Sequence, residues 1–150
     1  GLLAQRVLHS DPEEDSAVRA VEDCDRHEST LASISNLGKV LQDMRDLEGA
    51  AALFREDLAG CRETLGDRHE DTLKSINNLG NVLQDMGNLE GAAALHREAL
   101  AAQRETLGDR HKDTLASINR LGNLLKDMGD LEGAATLFDE HRRNVFQRTA

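Results

Sequence analysis

The stretch HESTLASISNLGKVLQDMRDLEGAAALFREDLAGCRETLGDR, His27 to Arg68, is followed at once by HEDTLKSINNLGNVLQDMGNLEGAAALHREALAAQRETLGDR, His69 to Arg110. A third copy, HKDTLASINRLGNLLKDMGDLEGAATLF, opens at His111. The period is 42 residues. The first two copies agree at 32 of 42 positions and the third agrees with the second at 20 of 28, which rules out coincidence. A period of this length marks a stacked array, in which each unit buries its apolar face against the next.

Each unit reads as two helices. In the second, Leu73, Ile76, Leu79, Val82, Leu83 and Met86 recur at helical spacing. Gly87-Asn88 then interrupts the pattern as a helix C-terminus does. Leu89, Ala92, Ala93, Leu95, Ala99, Leu100 and Leu107 continue on a second helix, which Gly108 ends. His69-Glu70-Asp71-Thr72 offers capping side chains and acid for the next helix start. Small residues recur where two helices would cross closely: Gly38, Gly80 and Gly122 on first helices, and Ala50, Ala92 and Ala134 on second ones. Glycine in a helix interior costs about 1 kcal/mol relative to alanine, so its retention in all three copies implies that a larger side chain would clash. The implied fold is all-α: a right-handed solenoid of stacked antiparallel helix pairs.

The bulk properties agree. The chain has 150 residues, 39% of them hydrophobic and 31% charged, enough for a core and typical of a globular protein. With three Phe and neither Trp nor Tyr, the core must be built from Leu, Ile, Val and Ala. The net charge of −10 argues against nucleic acid and anionic membranes, which call for clustered Lys and Arg. No apolar run approaches the length of a membrane span. Cys24 and Cys61 have no zinc or redox spacing, which suits a reduced compartment. Cytoplasm is the expectation, with an organelle after loss of a transit peptide left open.

These units resemble the tetratricopeptide repeat in its 42-residue form, typical of kinesin light chains and related proteins. The resemblance covers residues 27 to about 147. The family's Leu-Gly pair stands at Leu37-Gly38, Leu79-Gly80 and Leu121-Gly122, and its crossing Ala at Ala50, Ala92 and Ala134. Its second-helix aromatic stands at Phe54 and Phe138, with His96 in the middle unit. The Leu-Gly-x-x-His-x-Asp-Thr-Leu junction runs from Leu65 to Leu73 and from Leu107 to Leu115. Two aromatic positions are aliphatic here: Ile34, Ile76 and Ile118, then Leu41, Leu83 and Leu125. The resemblance divides the chain into units at 27–68, 69–110 and 111–150, the last with a C-terminal capping helix.

The ends are read differently. Leu2 to Arg6, LLAQR, looks like Leu100 to Arg104, LAAQR. Residues 1–26 are therefore either the tail of a preceding second helix, a loop with Pro12 and a short helix, or an irregular capping segment. At the other end His141-Arg142 replaces the Ala99-Leu100 of the middle unit, a polar outer face that a terminal repeat needs. Val145 and Phe146 are available to fold back onto the stack.

No catalytic constellation is visible. There is no nucleophile–base motif, phosphate loop or HExxH. His27, His69 and His111 lie one per unit, hence about 10 Å apart, while zinc ligands must sit about 2 Å from one ion. Capping at the unit junctions explains them better. Cys61 reads as an ordinary helix residue, and the Asp and Glu residues as mostly solvent-facing. No cofactor or metal is expected, and an enzyme is not.

Function is expected on the inner surface, lined by first helices. The site residues expected there are Ser35, Lys39 and Gln42, then Lys74, Asn77, Asn78, Asn81 and Gln84, then Asn119, Arg120, Asn123 and Lys126. Asparagine offers both a donor and an acceptor, so it grips a peptide backbone, and lysine adds attraction for acid. The same residues would also serve merely to solvate a concave face. The resemblance further suggests the carboxylate clamp of some relatives. Asn78 and Arg120 fit it, but Ser35 and Ala116 stand where Lys is wanted and Lys39 where Asn is, so the clamp is incomplete. The expected partner is a protein or an extended peptide, an acidic one included, held by a non-catalytic adaptor that is a monomer or part of a larger complex. The alternative is a structural subunit docked permanently through its convex face, its edges, or Arg142, Arg143 and Arg148. Self-association through an open N-terminal edge is a third reading.

Overall fold

The computed structural model describes residues 29–149, with side chains through residue 146. His27, Cys24 and both readings of residues 1–26 lie outside the described residues. Six helices follow one another: α1 (29–43), α2 (Leu47–Leu65), α3 (Glu70–Asp85), α4 (Leu89–Thr106), α5 (Lys112–Asp127) and α6 (Leu131–Thr149). No strand occurs among the described residues. From α2 onward each helix packs on the next in sequence.

The turn inside each unit is set by two residues. Gly87 and Gly129 take φ of 83° and 86°, where a Cβ is strained. Their reversed backbone lets Asn88 N–H reach Leu83 O at 2.8 Å and Asp130 N–H reach Leu125 O at 2.9 Å, closing each first helix in a Schellman pattern. Unit 1 makes the same turn with Arg45 at φ 65°, the one non-glycine residue with positive φ in the described chain. The residue after the turn caps the second helix. Asp46, Asn88 and Asp130 accept from the N–H groups of Gly49, Gly91 and Gly133 at 3.0–3.1 Å. Between units, His69 and His111 cap α3 and α5, each Nδ1 accepting from the N–H two residues on at 3.1 Å.

The clash expected of the first-helix glycines has a specific partner. A Cβ on Gly38, Gly80 or Gly122 would lie 2.8 Å from the ring of Phe54, His96 or Phe138. Each unit thus seats one ring of its second helix against a bare stretch of its first. Around these slots Ile76, Val82, Ile118 and Leu124 are fully buried, as are Ala50, Ala51, Ala92 and Ala93. A fully buried aliphatic side chain contributes about 1.5–3 kcal/mol, so the core runs continuously through the stack.

Unit 1 breaks the pattern on one face. Leu37 and Val40 are 51% exposed, whereas their counterparts Leu79, Val82, Leu121 and Leu124 are 5% exposed or less. Among the described residues no helix precedes α1 to cover them. Two residues expected on apolar faces, Met86 and Leu107, are 40% and 43% exposed, because both lie at helix ends next to turns. Val145 and Phe146 extend α6 rather than turning back, and Phe146 is 72% exposed.

Candidate functional site at the unit junctions

Two pockets open where consecutive units meet, and they occupy equivalent places one repeat apart. The first, about 380 Å³, lies among α1, α2 and α3. The second, about 600 Å³, lies among α3, α4 and α5. In each, two first helices form opposite walls and the second helix between them forms the floor. The floor position is Cys61 in the first pocket and Gln103 in the second.

Of the residues expected in the groove, Ser35, Lys39, Lys74 and Asn78 line the first pocket, and Lys74, Asn77 and Arg120 line the second. Lys74 forms the ridge between them, held by Glu70 at 3.4 Å and Asp71 at 3.9 Å. Gln42, Asn81, Gln84, Asn119, Asn123 and Lys126 line neither pocket. Gln42 donates across the units to Asp85 at 3.4 Å, Asn81 and Gln84 are half-buried, and the other three are exposed. The incomplete clamp is also divided, with Asn78 in one pocket and Arg120 in the other.

The second pocket is basic in a chain of net charge −10. Arg68, Lys74, Lys112 and Arg120 line it against Glu70 and Asp113. Arg68 pairs with Glu105 at 2.8 Å. Among the described residues Arg120, half-buried, and Lys112, exposed, have no ion-pair partner. Behind the wall, Asn77 Oδ1 lies 3.4 Å from Nδ1 of His96. With its proton on Nδ1 the imidazole donates there, which turns the Asn77 amino group the other way. His96 Nε2 is buried without a partner. Burial first, and the charge of Arg120 second, lower the His96 pKa to about 4. On the floor, the Ser117 hydroxyl donates to Gln103 Oε1, both buried.

The first pocket has a different floor. Asp57, 5% exposed, accepts from the Cys61 thiol at 3.9 Å. Burial raises the Asp57 pKa, while Ser75 and Cys61 beside it pull it back in part. The Cys61 thiol is pushed up to about 11 by burial and then by the charge of Asp57, which leaves it protonated and a poor nucleophile. Asp57 is the exception to the expected solvent-facing acids. Periodicity places Asp57 and Cys61 only on the buried side of α2, so the sequence does not mark Asp57 and reads Cys61 as an ordinary helix residue. A usable signal existed in the repeat. Units 1 and 2 differ at ten positions, and six of these pairs put a side chain into a pocket: Ser29/Asp71, Ala32/Lys74, Ser35/Asn77, Lys39/Asn81, Asp57/Ala99 and Cys61/Gln103. The near-identical units diverge most at the pocket walls.

Nothing described supports a metal centre or a membrane span. No three His, Cys, Asp or Glu converge among the described residues, and no described helix is long and apolar enough to cross a membrane. The basic C-terminal patch is partly neutralised, since Arg142 and Arg143 both reach Asp139, at 2.8 and 3.3 Å.

Two family models, each described as tetratricopeptide repeat, match residues 30–71 and 71–144. The chain belongs to the tetratricopeptide-repeat family. Its repeats are of the kinesin-light-chain-like type, and the fold is an all-α solenoid. A Podosopora anserina structure, titled as a kinesin light chain with nearly identical TPR-like repeats, is similar at 26% identity and TM-score 0.67, over 75% of this chain and 54% of that one. BtubC (BKLC) from P. vanneervenii is similar in fold at 17% identity and TM-score 0.73, over 81% and 48%. The TPR domain of Arabidopsis FLU is similar in fold at 22% identity and TM-score 0.68, over 81% and 98%. The chain thus spans about half the length of the first two. Comparison with curated proteins gives no match. Tetratricopeptide repeats are in general non-catalytic domains, and the fold is in general that of a protein–protein interaction scaffold.

Proposed function

We propose that the chain is a non-catalytic adaptor that holds an extended peptide segment of a partner along the junction pockets, with an acidic residue of the peptide in the second one. The observation that carries this reading is Arg120. It is a half-buried guanidinium without an ion-pair partner among the described residues, in a pocket of about 600 Å³ that Lys112 and Lys74 also line. A guanidinium and a carboxylate match as a bidentate pair, and the partly enclosed site strengthens it. With the His96 proton on Nδ1, the Asn77 amino group is left to donate a further hydrogen bond. Such a site reads a carboxylate with little regard for the rest of the sequence, as suits an adaptor.

The experiment is a peptide array of extended acidic segments, probed with wild type and with Arg120→Ala plus Lys112→Ala. The reading expects acidic peptides to be bound by wild type and lost by the double variant. Equal binding by both proteins would move the site away from this pocket.

One observation favours the second reading, a subunit docked in a larger assembly: the exposed Leu37 and Val40 on α1 and Met44 just after it, at 51%, 51% and 70%. Light scattering against concentration separates the two. An adaptor stays monomeric and binds reversibly, whereas a docked subunit associates through α1 or co-purifies stoichiometrically.

A further inference from the structure

Asp57 stands where the middle unit has Ala99 and the third has His141. Ala99 is fully buried there, so the site accepts a methyl group without difficulty. In unit 1 it holds a carboxyl that is 5% exposed and has no ion-pair partner among the described residues. Burying an unpaired carboxyl in place of alanine costs stability. Burial raises its pKa, which is that cost expressed as a proton affinity. The Cys61 thiol at 3.9 Å, the Ser75 hydroxyl and the charge of Lys39 offset only part of that cost, since the pKa stays raised. The carboxyl does, however, sit on the floor of the first pocket, facing Ser75, which is 1% exposed, with the hydroxyl of Ser35 and the amide of Asn78 also lining the space. These are all acceptors for N–H groups. Of the lining cations, Lys74 is held by Glu70 and Asp71, and Lys39 is exposed on a long stem that can swing to solvent.

We infer that the first-junction pocket is a subsite for a cationic side chain, an Arg or Lys of the bound peptide, with Asp57 as its counter-ion. The inference rests on the peptide-binding reading above and sharpens it. Consecutive first helices flank one second helix, each packed about 10 Å from its axis, so one repeat step spans roughly 10–20 Å, and an extended chain advancing about 3.3 Å per residue covers it in about three to six residues. The preferred ligand carries Arg or Lys about three to six residues from Asp or Glu, the cation over Asp57 and the anion over Arg120.

The test uses synthetic extended peptides with Arg and Glu about three to six residues apart, in both orders, against the same peptides with norleucine for Arg. Binding is measured by fluorescence anisotropy to wild type, Asp57→Ala and Asp57→Asn. Wild type is expected to prefer the Arg peptide by about tenfold, and both variants to bind the two peptides alike. Asp57→Ala is expected to fold with a higher unfolding midpoint than wild type, because it installs the residue of the middle unit. In parallel, titration of wild type with ethylguanidinium is expected to shift the carboxyl carbon resonance of Asp57. An Arg preference retained in both variants, or acidic peptides bound with no Arg preference and no shift at Asp57, overturns the subsite and leaves the acid-binding reading standing. If no acidic peptide binds at all, both readings fall. A lower midpoint for Asp57→Ala would make Asp57 a structural residue and also overturn the inference.

Discussion

Replacing His96 by Phe should stabilise the protein and remove part of its acid sensitivity. The ring slot is already shaped for the change: Phe54 and Phe138 lie over Gly38 and Gly122 as His96 lies over Gly80, each ring 2.8 Å from where a glycine Cβ would stand. The imidazole is 2% exposed and its Nε2 has no partner. An unsatisfied buried nitrogen costs about 1–3 kcal/mol, against which the long 3.4 Å contact to Asn77 returns little. At pH 7, His96→Phe should therefore gain roughly 1–2 kcal/mol. The pH dependence is sharper. The folded pKa is about 4 against 6.5 for the free side chain, so between those values the unfolded state binds the proton and the folded state does not. Stability contributed by neutral His96 is complete above pH 6.5 and is lost as the pH falls toward 4. The loss by pH 4 is about 3 kcal/mol at 1.36 kcal/mol per tenfold. Urea unfolding of both proteins at pH 7, 5.5 and 4.5 measures it, since the carboxylates contribute a common background that cancels in the difference. The advantage of His96→Phe should grow as the pH falls. An advantage that is flat with pH, or a variant less stable than wild type at pH 7, would refute the argument.

Two further perturbations test the fold. Arg45→Gly should raise stability by about 1 kcal/mol in urea unfolding, because Arg45 occupies φ 65° where Gly87 and Gly129 serve the other units. Leu79→Ala should cost about 2–5 kcal/mol, and Leu37→Ala, at the same repeat position but 51% exposed, well under half as much. Equal losses in the two variants would mean that the α1 face is covered in solution.

How far the sequence could be read follows from what each feature depends on. The helix pairs, the turns at Gly87 and Gly129, and the glycine–ring contacts depend on spacing within one unit, and 42-residue repetition exposes all of them. His69 and His111 as caps were legible for the same reason. The pockets depend on how one unit is set against the next, which periodicity does not carry. First-helix polar residues therefore looked equivalent, yet Asn78 and Arg120 enter pockets while Asn119 and Asn123 do not. Asp57 and Gln103 belong to second helices, whose pattern speaks only of packing, and Cys61 reads as an ordinary helix residue for the same reason. Asn77 was read as free for a ligand, but His96 behind it already engages one of its atoms.

The central claim, that the array holds peptides through its junction pockets, is tested most directly by ¹⁵N chemical-shift mapping of the whole chain with an acidic peptide selected from the array. The account predicts shifts gathered at Asn77, Gln103, Ser117 and Arg120, with Asp57 and Ser75 joining when the peptide also carries Arg. Shifts confined to Leu37 and Val40 on α1 and to Met44 in the turn after it would contradict it and identify the chain as a docked subunit instead.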